Sequence, residues 1–126
     1  MAKILLAVTG LNPQVVTETL YGMLINNEKM PDEIVLLTTA KGKLLAEQSL
    51  LLGINGEPGK VTEFCVEYNL PEINISSDNI KPICDENGLA IDDIRTEESH
   101  NIMADFITNE VRVLTADPAV VLHASI

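Results

Sequence analysis

Lys3-Ile4-Leu5-Leu6-Ala7-Val8-Thr9-Gly10-Leu11-Asn12-Pro13-Gln14-Val15-Val16 passes from a continuous apolar run, through a short polar turn, into a periodic apolar pattern. That passage decides the fold. A short run with no polar alternation, stopping at a glycine, reads as a strand buried on both faces, the usual state in a parallel sheet. A helix is expected next. Asn12 can cap it, and Pro13 suits a first turn whose N–H groups lack partners in any case. Val15, Val16, Thr19, Leu20, Met23 and Leu24 recur at helical spacing, and the pattern gives out near Asn26-Asn27.

Outward from this block, Pro31-Asp32 punctuates the chain before a second buried run, Glu33 to Thr38, which ends in a polar turn over Thr38 to Gly42. Strand, helix and strand in this order make a βαβ unit. Its crossover is right-handed in nearly all cases, so the two strands lie parallel with their C-terminal ends on one edge. Lys43 to Leu52 is then expected to be helical, and Gly53 to Gly59 a loop. Val61 to Asn69 fits strand or helix; Val61, Phe64, Cys65 and Tyr68 share a helical face, which favours helix. A short third strand is expected at Glu72 to Ile75. Ile80 to Cys84 and Leu89 to Ile91, joined through Asn87-Gly88, read as an inserted β-hairpin. Thr96 is a plausible cap for a long helix to about Thr115, with Ile102, Phe106, Ile107, Val111 and Leu114 as its apolar stripe. Ala119 to Ile126 reads as another buried strand. A parallel strand usually leads into a functional turn and a covering helix, and here neither follows, so the chain is expected to be a fragment.

Composition narrows the function. The 126 residues are 46 % hydrophobic, enough for one core, so a single domain over residues 1–126 is expected. With 8 Lys+Arg against 19 Asp+Glu the formal net charge is -11, which repels nucleic-acid backbones and disfavours binding of long DNA or RNA. No apolar run approaches the roughly 18 residues of a membrane span, and the start has no signal-peptide pattern, so a cytoplasmic protein without membrane contact is expected. Cys65 and Cys84 have neither CxxC spacing nor a Cys/His cluster, which suits buried thiols better than a disulfide or a metal site.

In open α/β sheets ligands bind beyond the carboxyl ends of the strands, at the turns after Thr9, Thr38 and Ser125. The first sets a hydroxyl, a glycine and two side-chain amides at a helix start, where free N–H groups favour an anion. It matches neither GxxxxGK[ST] nor GxGxxG, so the usual nucleotide-loop readings lose support, and a plain capped turn has the same shape. The second adds Thr38, Thr39, Lys41 and Lys43. The third holds His123 and Ser125 on one face of the strand, opposite Leu122 and Ala124, with no carboxylate to complete a triad. His100 is expected to face solvent. Asp85, Glu86, Asp92, Asp93, Glu97 and Glu98 do not follow EF-hand spacing and read as solvated charge; no metal is expected.

Several blocks resemble a known family. Ile4 to Tyr21 is similar to the N-terminal signature of the CRISPR-associated ring nucleases, whose members have a CARF-type Rossmann-like domain. Pro31 to Ile34 with Thr38-Thr39, Asp92 to Thr96, Ala104 to Ile107, Leu114 to Pro118 and Leu122 to Ile126 extend the similarity over essentially the whole chain. The resemblance implies an α/β fold with a mostly parallel sheet. It also implies a homodimer that binds cyclic oligoadenylate, the second messenger of type III CRISPR complexes, across its twofold axis, and, when complete, cleaves it without metal or cofactor. On that reading Thr9 and Asn12 are catalytic, while Gly10, Leu11, Gln14, Thr38, Thr39, His123 and Ser125 bind the ligand, the two threonines beside an adenine. A sensing domain that regulates an attached ribonuclease is the alternative. In the family the Ser-Ile strand end continues into a Gly-Gly-Arg-Lys segment whose lysine meets the scissile phosphate; this chain ends at Ile126.

Overall fold

The computed structural model describes residues 2–52, 59–91 and 96–125. Four parallel strands stand in the order β3-β2-β1-β4. They are β1 (Ala2–Val8), β2 (Glu33–Thr38), β3 (Ile80–Pro82) and β4 (Val120–Ser125), with helices α1 (Gln14–Ile25), α2 (Ala40–Ala46), α3 (Lys60–Glu67) and α4 (Glu97–Leu114). This is an α/β, Rossmann-like arrangement, as the unbroken apolar runs of β1 and β2 require. Strand alternation splits those runs between two cores. Leu5, Ala7, Ile34 and Leu36 meet Val16 and Leu20 of α1 and Val61, Phe64 and Cys65 of α3. On the other face Ile4, Leu6, Val35 and Leu37 meet Ile83 and the α4 stripe of Ile102, Phe106, Ile107, Val111 and Leu114. Both faces of the sheet are covered. Each fully buried Leu or Ile contributes about 1.5–3 kcal/mol, so the β1–β2 pair anchors the molecule.

α4 begins where the sequence places it. Thr96 accepts a bond from the Ser99 amide at 3.0 Å, and Ser99 Oγ in turn accepts from the Thr96 amide at 3.0 Å, a reciprocal cap. α3 is likewise helical, with Val61, Phe64 and Cys65 buried. α1 differs in its first residue. Its N-cap is Pro13, with no side-chain cap bond, so Asn12 does not cap it. No described helix is long and apolar enough to cross a membrane.

Four expectations change. The polar turn after β2 is shorter than expected, because Thr39 caps α2 and places Lys41, Gly42 and Lys43 inside its first turn. That helix then continues as a π-helix over Glu47–Leu52. Glu72 to Ile75 is no strand: it makes a single parallel bridge, Asn74 to Glu33. The chain is turned away by Asn79, whose Oδ1 accepts from the Ser76 amide at 3.1 Å while its Nδ2 donates to Glu33 at 2.7 Å. The third strand is Ile80–Pro82, so the hairpin is not a pure insertion. Its first arm is the sheet edge, and Cys84 bridges Ala90 antiparallel beyond it. Finally, β4 pairs with β1 at the other edge and is only half buried, with Val121 44 % exposed, since among the described residues one strand alone flanks it. Residues 53–58 of the expected loop, Asp92 to Arg95 and Ile126 lie outside the described residues.

Candidate functional site

The β1–α1 turn lies at the C-terminal edge of the sheet, and its main chain is held from within. The Thr9 amide donates to Leu37 O at 3.0 Å, extending the β1–β2 ladder one step past the strand. Thr9 itself is nearly buried, and its hydroxyl donates to the Asn12 carbonyl at 2.9 Å. That carbonyl also accepts from the Val15 amide at 3.3 Å, closing the first turn of α1. From β2, the Thr38 hydroxyl donates to the Gly10 carbonyl at 3.0 Å. The carbonyls of Gly10 and Asn12 and the amide of Thr9 are thus engaged. The next three amides of the turn are not: among the described residues, those of Gly10, Leu11 and Asn12 donate to no protein acceptor. Such amides at the start of a helix of 12 residues form a partial positive charge suited to an anion.

Gly10 is unusual. It has no positive φ, and a Cβ built on it would meet nothing within 4 Å. Neither backbone strain nor crowding by the protein calls for glycine there, and the space in front of its backbone is open. The main chain there is open to close approach from outside. Leu11, Asn12 and Gln14 are exposed beside that space.

The other candidates are placed differently. Thr38 and Thr39 are 0 % and 3 % exposed, and their hydroxyls are engaged with Gly10 O and, at 3.1 Å, with the Gly42 amide. They support the turn from behind. Ser125 pairs in register with Ala7 and lies 3.5 Å from the Thr19 hydroxyl of α1. His123 shares its face and pairs with Leu5. It therefore sits four strand positions back from Thr9, roughly 13 Å along the sheet. The structure brings Thr9, Gly10, Leu11, Asn12 and Thr38 together, puts Ser125 on the flank of α1, and leaves His123 deeper. Lys43 reaches the Ser77 carbonyl at 3.3 Å, and Lys41 is exposed. His100 is exposed on α4.

One participant was not apparent from sequence. Gly42 of α2 packs so closely that a Cβ there would overlap both the Thr38 hydroxyl and the Gly10 carbonyl oxygen. A glycine beside lysines reads as an ordinary loop residue; only the tertiary approach of α2 reveals its role.

The acidic stretch lies elsewhere. Asp85, Glu86, Glu97, Glu98 and Asp105 line an open cleft of about 720 Å³ between the hairpin and α4, where negative charge repels anions. Among the described residues no three His, Cys, Asp or Glu side chains are grouped to hold a metal ion.

Neither a curated protein nor a solved structure matches the chain significantly. The model of one protein family, described as CRISPR-associated protein NE0113, matches residues 12–126. The chain belongs to that CRISPR-associated family.

Proposed function

We propose that this member of the CRISPR-associated NE0113 family binds cyclic oligoadenylate, in the form of cyclic tetra-adenylate, at the Thr9–Gln14 turn, and cleaves it as a ring nuclease with a CARF-type domain. Family membership supports a role in CRISPR defence. The observation that carries the ligand assignment is the pairing of three unengaged amides with a glycine whose open side the protein does not fill. A phosphodiester would take the amides of Gly10, Leu11 and Asn12. Asn12 and Gln14 would reach a ribose. Two copies about a twofold axis would present two such turns to a ring of matching symmetry.

Cleavage on this reading is a transfer within the ligand. A ribose 2′-oxygen bonds to the adjacent phosphorus, the bond to the 5′-oxygen breaks, and the proton lost from the 2′-hydroxyl is balanced by one gained at the leaving oxygen. Holding those atoms in line removes most of the entropic barrier, and amides aimed at the phosphoryl oxygens stabilise the charge that builds there. Thr9 and Asn12 would position the reacting ribose. No metal takes part in this scheme.

A second reading, a sensor that binds without cutting and acts on an attached effector, is favoured by one feature. No side chain from Thr9 to Gln14 titrates, and His123 lies well behind the turn. Incubation with cyclic tetra-adenylate followed by chromatography of the nucleotides decides between them. Binding with linear product supports the ring nuclease, binding with intact ring supports the sensor, and no binding removes both.

A further inference from the structure

The turn's amides can receive a ligand only if the peptide that carries them is correctly rotated. In a planar trans peptide the carbonyl of one residue and the N–H of the next point in opposite directions. The Gly10 carbonyl is drawn toward β2 by the Thr38 hydroxyl at 3.0 Å, so the Leu11 N–H points the opposite way, away from Thr38. Thr38 has no exposed surface with which to do anything else. Its hydroxyl is in turn confined by Gly42, because α2 lies against it closely enough that no Cβ fits between them. α2 is fixed there by its own cap, in which the Gly42 amide donates to Thr39 Oγ1 at 3.1 Å.

We infer that Thr38 and Gly42 are positioning residues for the first turn, together setting the rotation of the Gly10–Leu11 peptide and hence the aim of the amide that meets the ligand. This rests on the proposed site. It gives both threonines at the end of β2 a task other than flanking an adenine: Thr38 orients one peptide and Thr39 holds the helix that confines it. It also makes the site dependent on side-chain size at a position outside the turn. A Cβ at 42 overlaps both the Thr38 hydroxyl and the Gly10 carbonyl oxygen, so any side chain there disturbs the bond that sets the peptide.

The test compares Thr38→Val, which keeps the shape and loses the hydroxyl, with Thr38→Ser, which keeps the hydroxyl, and with Gly42→Ala. Two readings are taken on each: affinity for cyclic tetra-adenylate by calorimetry, and the Leu11 amide resonance, whose nitrogen responds to a bond at the preceding carbonyl. Thr38→Val is expected to bind about tenfold more weakly and to move the Leu11 signal, as is Gly42→Ala if it folds, while Thr38→Ser restores both. Lowered melting temperature in Thr38→Val with unchanged affinity and an unmoved Leu11 signal would overturn the inference and leave Thr38 a core residue only. Should the unaltered protein bind no cyclic tetra-adenylate, the proposed function falls, and the resonance comparison alone decides the peptide's rotation.

Discussion

At Gly10 the demands of folding and of binding separate. The residue has no left-handed backbone and an unobstructed side, so Gly10→Ala costs the fold nothing in contacts and lowers the entropy of the unfolded chain. Stability by urea titration should hold or rise by up to about 1 kcal/mol, while affinity for cyclic tetra-adenylate falls because the new methyl stands where a phosphate would approach. Asn12 separates the two in the same way. A helix cap would make Asn12→Ala cost about 1 kcal/mol, but the cap is Pro13 and the Asn12 side chain makes no capping bond. Its loss should change stability by less than about 0.5 kcal/mol, the range of an uncoupled surface site, and still weaken the ligand. Unchanged affinity would remove Asn12 from the site. Asn27 is the opposite case, a residue with φ of 56° just past the end of α1. Asn27→Ala should lower stability by about 1 kcal/mol, with Asn27→Gly tolerated, in the same titration.

Among elements, α4 shows how a local signal can be sufficient. Its cap is made within four residues, and its stripe recurs at helical spacing, so its start and its half-buried, core-facing stripe were legible before any tertiary contact was known. Thr96→Ala should therefore cost about 1 kcal/mol, read as a lower thermal midpoint with little change in helix content at low temperature. β1 and β2 were legible for a different reason: a run with no polar residue must be covered on both faces. The third strand was not. Ile73 is buried and Ile75 half-buried, much as an alternating strand would have them, but pattern reports burial and says nothing of partners. Asn79, reaching Glu33 across 46 residues of sequence, decides where pairing begins, and no local window contains that bond. β4 is similar: its apolar run reads as buried, yet among the described residues β1 alone flanks it and it is only half buried. The site divides along the same line. The strand-to-helix turn was visible in Thr9 to Gln14 itself, whereas the burial of Thr38 and Thr39 and the tight seat of Gly42 arise from how α2 docks.

At the scale of the whole molecule, the charge of -11 and the placement of the described cations bear on how the proposed turn would hold an anion. The turn contains no lysine or arginine, Lys43 is engaged with Ser77, and the described acidic cleft beside α4 adds negative potential to the same domain. A cyclic oligoadenylate carries one negative charge per phosphodiester, so its approach is opposed at long range and favoured only at contact, by amide dipoles. Salt acts on these two parts unequally. The long-range repulsion is screened once the Debye length falls to about 10 Å, near 0.1 M salt, while donors in direct contact with a phosphate are screened little. Affinity for cyclic tetra-adenylate should therefore stay level or rise between about 0.05 and 0.5 M sodium chloride. A receptor built on lysines would do the reverse, losing affinity with a log–log slope of roughly −0.7 for each phosphate neutralised on a single strand. Calorimetric titrations at four salt concentrations distinguish the two. A steep fall would mean that cationic side chains such as Lys41 hold the ligand, and that the amides of Gly10, Leu11 and Asn12 do not.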